Sequence, residues 1–396
     1  MRSRALPSVC TVRGPYPAPV DFELSEDQLA LREAASALLD GRSPTARVRE
    51  VASQSGHFDR DLWAAMAEQG WLGVERPEQD GGLGLGMVEL VVLCEELGRH
   101  LAPVPFLATV LCSEALAAGI GSGELDAGEK LGSWSAVEWA ERLFSGDAVG
   151  ALCWSRDPGA LRAAQGEDGR WRLSGRPDPV VYGSEADVVV AFAATDQGPA
   201  LYALAQEEAR PPAQPAMDVT RSLAWLELED RAAVQIGGEE AAEVLLDRAA
   251  TAASAEMLGS ASRALEITVQ YAKDRVQFGR PIGSFQAIKH RCADMLVDVE
   301  GMRSAAYYAA WAVGARDPDA HAAASVAKVW CSDAAERVMA SALQVHGGIG
   351  FTWEHDMHLY LKRSQLDWVS FGDAVFHRER LAGILRPRAE AGLPIL

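Results

Sequence analysis

The stretch that decides the reading is Arg275-Val276-Gln277-Phe278-Gly279-Arg280-Pro281-Ile282-Gly283-Ser284-Phe285-Gln286. Gly279 and Pro281 predict a turn between two long helices. Arg275 stands at the end of the first helix, where its fork of donors suits a diphosphate. Phe278 suits packing against a planar ring. The same residues also make an ordinary helix–turn–helix corner, with Arg275 as a C-terminal helix cation. From the residues alone both readings stay open.

Beyond this corner, Phe285, Ile288, Cys292, Met295, Val299, Met302 and Ala306 recur at steps of three and four between Gly283 and Gly314. That spacing predicts one face of a helix of about 30 residues. The Ala-rich run Asp319–Ala342 predicts a second, its alanines favouring close approach of helices, between subunits as well. Helices this long pack as a bundle. Then comes Gln344-Val345-His346-Gly347-Gly348-Ile349-Gly350-Phe351, in which adjacent glycines let backbone approach a ligand and Gln344 both donates and accepts. On its own Gly-Gly-x-Gly is weak, and with no preceding strand it is not a dinucleotide-binding fingerprint.

Upstream the texture differs. Val180-Val181-Tyr182, Val188–Phe192 and Trp225–Leu228 are short β-branched or aromatic runs between turn clusters at Asp157-Pro158-Gly159, Gly166–Gly169 and Gly175–Pro179. They predict strands and a small β domain. From Asp21 to about Ala118 the signals are helical. Ser25 with Gln28 forms a capping box, Leu29, Leu31, Ala35 and Leu38 follow, and Gly81–Gly86 leads into a helix over Met87–Leu97. Gly119–Gly132 reads as an acidic connector. The expected organisation is an extension over residues 1–19, a helical domain over 20–147, a β domain over 148–237 and a helical bundle over 238–396.

The chain has 396 residues, with 37 Lys and Arg against 56 Asp and Glu, a formal charge of −19. So acidic a surface repels phosphate backbones, which excludes a nucleic-acid binder. Glu89, Glu95 and Glu96 interrupt the best apolar run, so no membrane-spanning helix is expected. Residues 1–19 carry Arg2, Arg4 and Arg13 without an apolar core, unlike a signal peptide. The cysteines at 10, 94, 112, 153, 292 and 331 form no C-x-x-C pair and read as buried thiols in a reducing cytoplasm.

Together the two C-terminal motifs resemble the acyl-CoA dehydrogenase family, in which R-x-x-F-G-x-P-I-x-x-F-Q is followed by Q-x-x-G-G-x-G. Here the motifs start 69 residues apart. The likeness runs back to Asp21-Phe22-Glu23-Leu24-Ser25-Glu26-Asp27-Gln28-Leu29, and takes in Gly70–Gly82 and Glu95-Glu96-Leu97-Gly98-Arg99. It implies an α+β multidomain fold: helical domain, β-barrel-like domain, helix bundle. It further implies FAD as cofactor, an acyl-CoA substrate, an electron-accepting flavoprotein as redox partner, and dimers or tetramers. In the family, the motif positions matching Arg275, Gln277, Phe278, Gln344, Gly347 and Gly348 reach the flavin of the neighbouring subunit.

The match fails where the family serves its own flavin. The usual catalytic glutamate falls at Phe371 in Ser370-Phe371-Gly372-Asp373, and the alternative position on the preceding helix falls at Ala249. Neither side chain takes a proton. The aromatic-Ile-Thr flavin contact becomes Pro179-Val180-Val181, and the T-E-x-x-x-G-S-D loop has no counterpart around Trp154–Arg162. Asp373 replaces a threonine where a carboxylate repels diphosphate. A missing base costs about 10²–10⁴ in rate. The resemblance is therefore to the base-lacking chain of heteromeric bacterial acyl-CoA dehydrogenases, including those of steroid side-chain breakdown. Two other readings stay open: a self-sufficient flavin oxidoreductase with a non-standard base, for which Asp373 is the weak candidate, and a flavin-free binding or scaffold homologue. Asp247 points about 200° away from Ala249 on a helix, and Glu256 is the other acid nearby. His355 and His358, with Glu354 and Asp356, read as a solvated polar face rather than a metal site, and Glu300 with Arg303 as a surface pair.

Overall fold

The computed structural model describes residues 23–54, 58–207 and 210–393. The expected extension over 1–19, Cys10 and Asp21-Phe22 lie outside them. The chain enters its first helix through the predicted capping box: Ser25 Oγ accepts from the Gln28 N–H, and Gln28 Oε1 accepts from the Ser25 N–H. Six helices follow in order: α1 (Glu26–Arg42), α2 (Thr45–Ala52), α3 (Arg60–Glu68), α4 (Met87–Arg99), α5 (Phe106–Ser122) and α6 (Ala136–Ser145). A two-residue ladder of β1 (Lys130–Leu131) and β2 (Trp134–Ser135) precedes α6. The connector expected from Gly119 is corrected, because α5 continues to Ser122. Gly119 belongs inside the helix because a Cβ there would lie 2.5 Å from the Ile236 carbonyl oxygen.

The middle of the chain forms β3 (Gly150–Cys153), β4 (Leu161–Gln165), β5 (Trp171–Gly175), β6 (Val180–Val181), β7 (Val188–Thr195), β8 (Gly198–Ala205), β9 (Leu223–Ala224) and β10 (Leu228–Gly237). Pairings β7–β4, β4–β5, β5–β10, β10–β8 and β8–β7 close a ring of five strands, and β3 adds in parallel to β7. Alternation along β7 sorts its side chains. Val189 and Ala191 join Leu173, Tyr202 and Leu204 inside the barrel, while Val188 and Val190 pack on the helices. The strand expected at Trp225–Leu228 is corrected, for it is a corner: β9 ends at Ala224 on β6, and β10 starts at Leu228 on β5. Between them Leu226 plugs the barrel, and the Arg176 guanidinium covers the Trp225 ring at 4.2 Å.

The rest is helical: α7 (Glu239–Asp274), a hairpin of β11 (Val276–Gln277) and β12 (Arg280–Pro281), α8 (Gln286–Gly314), α9 (Ala320–His346), α10 (Met357–Val369) and α11 (Ala374–Glu390). On α8, Met295, Val299, Met302 and Ala306 are buried as the spacing requires, whereas Leu296 and Val297 near its start stay exposed. The alanines bring helices together within the chain: Ala309 and Ala312 of α8 meet Ala323 and Ala327 of α9. Arg303 keeps a long surface ion pair with Glu300, but its closer partner lies elsewhere. It donates to buried Glu95 on α4 at 2.5 Å, Tyr307 OH donates to the same carboxylate at 2.7 Å, and Glu300 is 3.8 Å away. Packing of α4 across α8 brings that acid within reach. Among the described residues no helix is long and apolar enough to cross a membrane.

Candidate functional site

Helix α7 ends at Asp274, and Arg275 leaves it in extended conformation. Val276 pairs with Pro281 and Gln277 with Arg280, which sets Phe278-Gly279 at the tip of a two-residue hairpin. Both tip residues have positive φ, 53° and 77°. Glycine accepts this readily; a bulky phenylalanine does so under strain. The Phe278 side chain gains little burial in return, since it is 90% exposed and meets only the edge of Phe285, 6.0 Å between centroids. The guanidinium of Arg275 has no hydrogen-bond or ion-pair partner among the described residues, and Gln277 is exposed beside it.

The Gln344 motif lies alongside. Tyr271, one turn before Arg275, stacks on His346 at 4.5 Å between centroids and points its hydroxyl at the His346 carbonyl, 3.5 Å away. His346 Nδ1 is 2.8 Å from the Ala342 carbonyl and therefore donates to it, and burial holds the imidazole below its ordinary pKa, in the neutral form. Helix α9 then breaks at Gly347, whose φ of 64° and ψ of −143° are accessible essentially to glycine alone. A Cβ on Gly347 or Gly348 would meet nothing within 4 Å, so the turn is an open backbone cradle. Gln344 is exposed on the last turn of α9. The six predicted contact residues thus sit on two adjoining segments, with the side chains of Arg275, Gln277 and Gln344 making no hydrogen bond among the described residues.

A second constellation surrounds Phe371. The turn Ser370–Gly372 joins α10 to α11, with Phe371 at φ 57° and its ring packed against the core. His377 Nε2 donates to the Phe371 carbonyl at 2.9 Å, and burial pushes His377 down to about 4. Asp373 caps α11 by accepting from the Phe376 N–H at 2.8 Å, and its other oxygen accepts from Arg156 at 2.5 Å. Asp178 accepts from the Arg156 N–H at 3.0 Å and the Ser155 hydroxyl at 3.1 Å. Trp154 meets Phe376 edge-on. Trp154, Arg156, Asp178, Phe371 and Asp373 help line a cavity of about 370 Å³ between the barrel and the end of α10. The other base position, Ala249, is fully buried in α7. Asp247 is engaged by His321 and Arg380, and Glu256 by Arg221.

Behind that turn lies an ionic junction that sequence reasoning missed. Arg221 donates to Glu256 of α7 at 2.5 Å and to Asp367 of α10 at 2.6 Å. Fully buried Arg363 donates to Asp218 and Thr220. Lys328 of α9 donates to the Asp367 and Trp368 carbonyls at 3.0 and 2.8 Å, and burial pushes it down to about 7. Burial likewise raises the Asp367 carboxyl, with Arg221 pulling the other way. In sequence, Arg363 and Asp367 are four apart and look like a surface pair; nothing local says they are buried. His358 is also buried, against Trp353, rather than part of a solvated face. No group of three His, Cys, Asp or Glu among the described residues is arranged to hold a metal ion.

A closed barrel thus lies between two helical parts, with one motif pair facing outward beside the bundle. Family models for the acyl-CoA dehydrogenase N-terminal and C-terminal domains match residues 25–125 and 237–385. Acyl-CoA dehydrogenase IpdE2 of Mycobacterium tuberculosis is 36% identical over 342 residues, 86% of this chain and 91% of the relative. The crystal structure of the ChsE4–ChsE5 complex from Mycobacterium tuberculosis superposes with a TM-score of 0.82 at 31% identity, over 95% of this chain and 100% of that one. A variant of the Tcur3481–Tcur3483 steroid ACAD gives 0.83 at 30%, over 92% and 99%. The chain belongs to the acyl-CoA dehydrogenase family.

Proposed function

We propose that this chain is a subunit of an FAD-dependent acyl-CoA dehydrogenase that completes the flavin site of a base-containing homologous partner. One observation carries the reading: of the six residues expected to reach a neighbour's flavin, Arg275, Gln277, Phe278, Gln344 and Gly348 are exposed, while the chain's own pocket is ion-paired between Arg156 and Asp373. Arg275 and the Gln344–Gly348 turn fit the neighbour's cofactor, Arg275 by its free fork of donors to diphosphate and the glycine turn by open backbone. Phe278 and Gln277 extend the same face. The chain's own pocket does not fit the cofactor, because Asp178 and Asp373 at its mouth outnumber Arg156 and oppose a diphosphate.

When bound in the partner, FAD supplies the two-electron acceptance needed to desaturate an acyl-CoA thioester between Cα and Cβ. The base that takes the α proton comes from the partner, since Phe371 and Ala249 offer none. Asp373 is a poor substitute, with one oxygen capping α11 and the other on Arg156. The acyl-CoA, the partner and an electron-accepting flavoprotein are thus the three binding partners, in a cytoplasmic dimer or tetramer. The likeness to the ChsE4–ChsE5 complex, at 31% identity, supports a heteromeric assembly. The test is Arg275→Ala co-expressed with a base-containing homologue: assembly by size exclusion is retained and the flavin absorbance of the complex falls. Unchanged flavin content in that complex overturns the assignment.

A further inference from the structure

We propose that the cavity beside Phe371 is a binding site for an uncharged, ring-shaped apolar molecule that presents one hydrogen-bond donor at the mouth. This goes beyond the shared-flavin reading, since it concerns the pocket that reading leaves without flavin. The cavity holds about 370 Å³, within the range of small-molecule pockets. Its walls include Trp154, Val181, Leu366 and Phe371, so most of the lining offers apolar and aromatic surface that holds water poorly.

Charge is confined to one end. Arg156, Asp178 and Asp373 line it, one cation against two carboxylates. Lys328 stands behind this wall, spent on two carbonyls. The excess negative charge disfavours a carboxylate or phosphate there. It favours a neutral molecule whose hydroxyl donates to an acid. Asp178 is the acid open to it: its hydrogen bonds from Ser155 and Arg156 both fall on Oδ2, and Oδ1 takes none among the described residues. Both Asp373 oxygens, by contrast, are engaged.

The test uses the purified full chain with 2-naphthol, neutral at pH 7, and with 2-naphthoate as its charged counterpart, followed by calorimetry. The expected result is saturable binding of one 2-naphthol per chain, with 2-naphthoate weaker on the order of tenfold. Asp373→Asn narrows that gap by strengthening 2-naphthoate. Val181→Trp, which fills the cavity, abolishes 2-naphthol binding with the circular dichroism spectrum unchanged, and Ala108→Phe serves the same purpose if the first variant does not fold. Absence of saturable 2-naphthol binding overturns the proposal. So does equal or tighter binding of 2-naphthoate to the unaltered chain, or binding that survives a folded cavity-filled variant. None of these outcomes bears on flavin in the heteromer, so the two readings fail separately.

Discussion

Among the described residues two phenylalanines lie in left-handed backbone, Phe278 at φ 53° and Phe371 at φ 57°, and they do opposite things. Phe371 is strained inside: its ring packs on the core, and His377 holds its carbonyl. Its strain is offset within the chain. Phe278 is strained outside, on a hairpin tip where it touches little of its own molecule. Strain of this kind persists where surroundings over-determine it or where function uses it. The comparison separates a turn that has become structural from an arm kept for contact beyond the chain.

The sharpest way to break that contrast is to remove charge from each side. Arg363→Ala leaves Asp218 buried without its guanidinium, and the expected loss is about 3–5 kcal/mol in urea unfolding. A loss below about 1 kcal/mol would mean that the junction behind Phe371 is not what holds the turn. Lys328 gives a pH-dependent version. Its pKa falls from 10.5 to about 7 on folding, so above pH 7 the unfolded chain binds more protons and stability rises with pH. Between about pH 7 and 8.5 the unaltered chain should gain up to about 1.4 kcal/mol per pH unit relative to Lys328→Met. Parallel stability–pH curves for the two would contradict it.

Asp373→Ala removes an N-cap and a half-exposed ion pair, and the expected cost is about 1 kcal/mol, nearly all from the cap. Asp373→Thr keeps the capping oxygen and should recover most of that. On the arm, Arg275→Ala should change stability by no more than about 0.5 kcal/mol, because its exposed guanidinium makes no hydrogen bond or ion pair among the described residues. If the same substitution destabilises the isolated chain strongly, the arm is structural and the contrast fails.

Much of this is legible in the sequence, and the reasons are specific. The step of three and four from Phe285 to Ala306 marks α8, and Ser25 with Gln28 marks the start of α1, because both signals are local. The Arg275 and Gln344 motifs name two segments that adjoin, but not that Tyr271 and His346 clasp them together. Gly119 looks like a breaker because its reason for being glycine, the Ile236 carbonyl, is 117 residues away. Arg221, Lys328 and Arg363 stay invisible for the same reason: a buried ionic junction among α7, α9, α10 and the Asp218–Ser222 segment has no local pattern. Spacing pairs Arg303 with Glu300 and that pair forms, but only tertiary packing reveals the closer partner, Glu95.

The most direct measurement is flavin stoichiometry, read from flavin absorbance against protein concentration, for the chain purified alone and co-purified with a base-containing homologue. The shared-site account predicts a colourless chain alone and about one FAD per pair of unlike chains. One FAD per chain in the protein purified alone would contradict it, and would make the pocket beside Phe371, with Asp373 at its mouth, a working flavin site.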